Sequence, residues 1–135
     1  MVRIDVEYKG DLHTDCVHGP SGAQIETDAP RDNEGLGACY SPTDLVATAL
    51  ASCVLTTMGI VARRHDWPLE GATAQVDKHM TVGTPRRIAR LEVRFALPGA
   101  VPAEARPVLE RAARGCPVHG SLHPDVELDL SFTWG

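Results

Sequence analysis

Polar and apolar residues alternate through Val2-Arg3-Ile4-Asp5-Val6-Glu7-Tyr8, the period of a strand with one face covered. Gly10-Asp11 marks a turn and Leu12 to Val17 reads as the antiparallel return, so a hairpin opens the fold. A second turn, His18-Gly19-Pro20-Ser21-Gly22, leads into a third short strand, Ala23 to Thr27. From Ala29 to Tyr40 the periodicity disappears among Pro, Asp, Asn and Gly. That composition predicts a surface loop of a length that often carries function.

Ser41-Pro42-Thr43-Asp44 then reads as a helix start: Ser as N-cap, Pro in the first turn, and an acidic residue three positions after the cap. The helix is expected to reach about His65. Leu45 to Ala62 carries no charge and is nearly apolar on every side, with Ala, Gly, Ser and Thr between the large aliphatics. A helix of that kind is expected to be buried all round. Its length borders on a membrane span, but Thr48, Ser52, Thr56 and Thr57 dilute its hydrophobicity, and a span would leave the flanking strands unexplained. Packing inside a soluble protein is preferred. One small domain cannot easily surround such a helix, whereas two copies pairing their helices could, so a homodimer is expected.

Beyond Asp66-Trp67-Pro68-Leu69, strand-like runs at Ala72 to Val82 and Ile88 to Leu97 flank Gly83-Thr84-Pro85 and predict a second hairpin. A helix is expected from Pro102, with Val108, Leu109, Ala112 and Ala113 as its apolar stripe and Gly115 as its stop. The segment Cys116-Pro117-Val118-His119-Gly120-Ser121-Leu122-His123-Pro124 is dense in reactive side chains. Val126 to Trp134 alternates as a last strand. The pattern as a whole is α+β, in one domain spanning 1–135.

Composition narrows the function. The 135 residues are 43% hydrophobic and 23% charged, the balance of a globular chain. A net charge of −5, without a basic cluster, argues against nucleic acid as a partner. The charged, alternating start lacks the apolar centre of a secretory signal, which predicts a cytoplasmic location and no membrane attachment. Four widely spaced cysteines, Cys16, Cys39, Cys53 and Cys116, form no disulfide framework, so those that matter are chemical. Cys16 and Cys39 have no visible partner in sequence.

Cys53 falls mid-helix on a face with Val46, Ala49, Leu50, Thr56, Thr57 and Ile60, where a thiol would meet an apolar wall; a small buried hydrophobe explains it equally well. Cys116 follows a helix stop and precedes Pro117, an exposed-turn context, with His119 nearby. One buried and one loop-edge cysteine resemble an attacking thiol and its resolving partner. Cys116, His119 and His123 also permit a zinc reading. The turn's interrupted spacing weighs against it, and no metal or cofactor is expected.

The stretch from Ser41 to Cys53, Lys78 in the following strand and the later Cys116-Pro117-Val118-His119 together resemble the OsmC/Ohr family of cysteine-based peroxidases. The resemblance spans most of the chain. It implies antiparallel strands wrapped around a long buried central helix, in an intertwined homodimer with sites at the interface. It also implies that Cys53 is oxidised by an organic hydroperoxide to a sulfenic acid, that Cys116 resolves it as a disulfide, and that an external dithiol completes the cycle. Family peroxidases set an Arg beside the thiol and a Glu to orient it. The Glu position falls on Thr43, leaving Asp44 one residue away; Arg31 is the nearest Arg, and His119 is the other available cation. Asp44 also completes the helix cap, and the roughly 13 Å of helix between it and Cys53 excludes contact within one subunit. The alternative on the same scaffold is a non-peroxidatic protein holding a small ligand in a dimer-interface pocket.

Overall fold

A computed structural model describes residues 1–135, which divide into two compact units, Met1–Val46 and Ala47–Gly135. The first holds β1 (Ile4–Gly10), β2 (His13–His18) and β3 (Gln24–Asp28) in an antiparallel sheet of order β1-β2-β3. Its register sets Val6 opposite Cys16 and Cys16 opposite Ile25, so the alternation read from sequence collects Ile4, Val6, Tyr8 and Ile25 on one face. These four side chains remain more than half exposed.

The loop that follows is held to β3 from within. Buried Asp28 accepts from the Ala38 amide at 2.9 Å, and the Asp28 amide donates to the Tyr40 carbonyl at 3.0 Å. A Cβ at Gly35 would overlap the Ala29 carbonyl, which fixes glycine there. Within the expected loop, Arg31–Asn33 form one 3-10 turn.

Helix α1 spans Pro42–Arg64 and crosses the boundary between the units. In the second unit, β4 (Thr73–Met80), β5 (Ile88–Leu97) and β6 (Glu127–Trp134) form a sheet of order β4-β5-β6. Leu91, Val93, Phe95 and Leu97 of β5 are buried, and so are Ala47, Leu50, Ala51, Val54, Met58 and Ala62 of α1, all in one core. The opposite face of the sheet is charged: Arg90 reaches Asp129 at 2.6 Å and Arg94 reaches Asp77 at 2.7 Å.

One expectation is corrected here. The strands are not all antiparallel, because β6 runs parallel to β5. A parallel return needs a long crossover, and helices α2 (Arg106–Arg114) and α3 (Pro117–Ser121) supply it. Within one chain the helix is covered on one side. Thr48, Ala49, Ser52, Thr56 and Ile60 are exposed, since one three-stranded sheet covers only one side of a 23-residue helix. Although α1 is long and apolar enough to cross a membrane, its buried stripe makes it the core helix of this unit.

The helix expected from Pro102 begins as a 3-10 turn, Ala103–Ala105, and continues as α2 with Pro107 in its first turn. Polar and aromatic contacts fix α2 to β6. Trp134 donates its indole N–H to Glu110 at 2.8 Å, Arg106 lies over the Trp134 ring, and Arg114 lies over Phe132.

Candidate active site at Cys53 and Cys116

Gly115 ends α2, its amide donating to the Ala112 carbonyl at 3.0 Å, and the chain turns through extended Cys116 into α3. Pro117 fits the first position of α3 because its missing N–H has no helical partner there. Cys116 occupies the cap, where its Sγ accepts from the His119 amide at 3.2 Å. The Gly120 amide donates to the Cys116 carbonyl at 3.1 Å, and the Ser121 hydroxyl donates to the Pro117 carbonyl at 2.7 Å. This short turn holds one sulfur in a fixed direction.

That sulfur lies near Cys53 of α1, which packs against the buried cluster containing Cys116. The Cys53 side chain helps keep the proton on Cys116. Burial is the largest influence and pushes the Cys116 thiol up; the amides of His119 and Val118 pull the other way by hydrogen-bonding to its sulfur. Cys116 therefore remains a thiol at neutral pH.

Sequence reasoning named both cysteines but misjudged their surroundings. Cys116, expected at an exposed loop edge, is only 1% exposed; Cys53, expected to be buried, is half-buried. Cys116 caps α3, a helical turn not evident in the sequence pattern, and is part of the buried core, against which Val118 and Leu122 pack. Cys-Pro followed by an amide donor was its available signal, a weak one because Cys is not among the favoured N-cap residues.

The accessory residues fall in different roles. His119 is joined to Cys116 through its backbone amide. His123 accepts from the Asp125 amide at its Nδ1. Asp44 and Ser41 cap α1 in the Met1–Val46 unit. Arg31 is exposed, donates from Nε to the Leu36 carbonyl at 3.1 Å, and lies against Gly37, whose positive φ and missing Cβ leave room for it. Cys39 is displaced upward by partial burial first and then by Asp28 and Glu26; Cys16 lies 3.7 Å from the Thr14 hydroxyl. A group able to hold a metal lies instead on the first sheet, where ligand atoms of His13, Asp15 and Glu26 fall within 4.8 Å of one another. An open cavity of about 580 Å³ at the C-terminal end of α1 is lined in part by Arg63, Trp67, Leu69 and Glu70.

No protein of curated function matches the chain. Among solved structures, one from Psychrobacter arcticus 273-4, provisionally described as an osmotic stress induced and detoxification response protein, shares 39% identity. The match covers 98% of this chain and 96% of that one, with a TM-score of 0.92. An OsmC-like protein from Mycoplasma pneumoniae matches at 15% identity and TM-score 0.80, covering 99% and 96%. An organic hydroperoxide resistance protein from Elizabethkingia anophelis matches at 16% and 0.78, covering 100% and 96%; these last two show likeness of fold. With residues 33–131, which carry the central helix and both thiols, matching the family described as OsmC-like protein, the chain belongs to the OsmC-like family.

Proposed function

We propose that the protein is a thiol peroxidase acting on organic hydroperoxides. The neighbouring pair of Cys53 and Cys116 carries this reading, because a half-open thiol lies beside an enclosed one. The Cys53 thiolate attacks the distal peroxide oxygen, the O–O bond breaks, and the alkoxide leaves to be protonated to an alcohol. Cys53 is then a sulfenic acid. The Cys116 sulfur attacks it, water departs, and a disulfide forms that an external dithiol reduces. Arg31 is proposed as the cation that favours the thiolate, with Asp44 orienting it and His119 as the alternative cation. Aliphatic residues along α1 favour an organic peroxide over hydrogen peroxide. Four free cysteines fit a reducing, cytoplasmic setting.

The active form is proposed to be a homodimer in a single-domain arrangement of each chain. The uncharged exposed side of α1 and the exposed Ile4, Val6, Tyr8 and Ile25 of the first sheet support it, since each is surface that a partner could cover. A second reading, a non-peroxidatic binder of small ligands, is favoured by the cavity beside Trp67.

Stopped-flow oxidation of the reduced protein by cumene hydroperoxide and by hydrogen peroxide, compared with Cys53→Ser, separates the two. Rapid oxidation by the organic peroxide, lost in Cys53→Ser, is expected. Equal inertness of both proteins would leave the binding reading.

A further inference from the structure

From the unequal enclosure of the two sulfurs we infer that the reducing thiol attacks the disulfide at Cys53 and expels Cys116. This rests on the cysteine pair of the proposed function but not on peroxide as its oxidant.

Thiol–disulfide exchange proceeds by attack of a thiolate on one sulfur while the other leaves, and access helps decide which sulfur is struck. Cys116 is 1% exposed in the core at the start of α3, with the His119 amide already against its Sγ at 3.2 Å. A nucleophile from outside has no open approach there. Cys53 is half-buried on α1, next to exposed Ser52 and one turn before Thr56, whose hydroxyl is turned back to the Ser52 carbonyl at 2.8 Å. Of the two cysteines, Cys53 is the one that keeps an exposed part.

The leaving side is also prepared. When the S–S bond breaks, its electron pair goes to Cys116 Sγ, a buried position where an isolated negative charge would be costly. The His119 amide donates to that sulfur at 3.2 Å, and the Val118 amide acts on it in the same direction, so the two offset part of the cost. The protein thus supplies two N–H groups where charge develops, without moving a side chain.

With a dithiol the step balances. One thiolate of the dithiol bonds to Cys53 Sγ as the Cys53–Cys116 bond breaks, and Cys116 takes up a proton. The second thiol, deprotonated, attacks the dithiol's own sulfur in the mixed disulfide and releases the Cys53 thiolate. Two electrons pass from the dithiol to the cysteines, and the dithiol ends as its disulfide.

The test uses the full chain oxidised with diamide, so that peroxide chemistry is not needed. After removal of the diamide, brief exposure to N-acetylcysteine, which has one thiol and cannot complete the second exchange within its own molecule, is stopped with acid and N-ethylmaleimide, and the peptides are mapped. The mixed disulfide is expected on Cys53 and the maleimide on Cys116. An adduct on Cys116, an even split, or no Cys53–Cys116 link after diamide would each overturn the inference. Val118→Pro, which removes one of the two donors, should slow the first exchange several-fold with the adduct still on Cys53; an unchanged rate in the folded variant would overturn the role of the amides. Failure of the peroxidase reading looks different: the thiols then survive cumene hydroperoxide while diamide still links them.

Discussion

Ser41 and Asp44 satisfy each other's backbone amides: the Ser41 amide donates to Asp44 Oδ2 at 2.9 Å, and the Asp44 amide donates to Ser41 Oγ at 3.1 Å. Ser41 is 1% exposed, so its hydroxyl does this without competition from water. The reciprocal cap fixes where α1 starts and therefore which residues of the helix reach the sheet.

Ser41→Ala should lower stability by about 1 kcal/mol, the usual cost of losing an N-cap side chain, and Asp44→Ala should do the same. If Asp44 only caps, Asp44→Asn keeps most of the stability and leaves the reactivity of Cys53 unchanged. If it also orients Arg31, Asp44→Asn slows peroxide attack while urea denaturation moves little. Measuring both quantities on that one variant separates the roles.

The same residues show what could be read from sequence. The Ser-x-x-Asp spacing and the uncharged run after it are local signals, and the helix starts within one residue of the expected place. The strands were legible for a similar reason, since alternation is a property of consecutive side chains; their ends moved by only one or two residues. The direction of β6 was not legible, because it depends on the path of the crossover and not on β6 itself. Nor was the enclosure of Cys116. Pro117-Val118-His119-Gly120-Ser121 is too short to show a helical period, yet Cys116 caps its single turn within the buried core.

Leu50 and Ile60 should respond oppositely to a charge. Leu50 is fully buried in the core and Ile60 is 41% exposed on the uncovered side of α1. Leu50→Glu buries an unpaired carboxylate and should destabilise the fold by about 3 kcal/mol or more. Ile60→Glu should leave the protomer folded but shift a dimer towards monomers, as read by sedimentation together with circular dichroism. A wild-type chain that sediments as a monomer at micromolar concentration would remove the dimer from the reading.

The Cys116 thiol makes stability depend on pH in a definite direction. Burial raises its folded-state pKa, with Cys53 adding and the two amides opposing, whereas the unfolded thiol titrates near its ordinary value of about 8.5. The folded chain therefore holds this proton more tightly. Its stabilising contribution is fully present below about pH 8.5 and is lost as the pH rises through the folded value. Under reducing conditions, Cys116→Ala should show a shallower fall in stability above that pH than the wild type, measured by urea denaturation across the range. Parallel slopes for the two proteins would contradict the upward shift.

Activation of Cys53 is where the chain departs furthest from the pattern its resemblance implies, and the loop around Arg31 makes it testable. Gly37 has φ +62°, and a Cβ there would lie 3.1 Å from Arg31 Cγ, so Gly37→Ala both strains the backbone and presses on the arginine. If the guanidinium supports the Cys53 thiolate, Arg31→Met should slow alkylation of Cys53 by iodoacetamide at neutral pH and shift its pH profile upward, with stability nearly unchanged. Gly37→Ala should move reactivity in the same direction, though less, and should cost about 1 kcal/mol in stability. His119→Gln retains the backbone amide that reaches Cys116, so it should leave the profile of Cys53 in place unless the imidazole is the activating cation. A profile displaced by His119→Gln and not by Arg31→Met would transfer the role to the histidine. If neither substitution displaces it and the wild-type thiol reacts only above about pH 8.5, the thiol is unactivated, and small-ligand binding becomes the better account of the site.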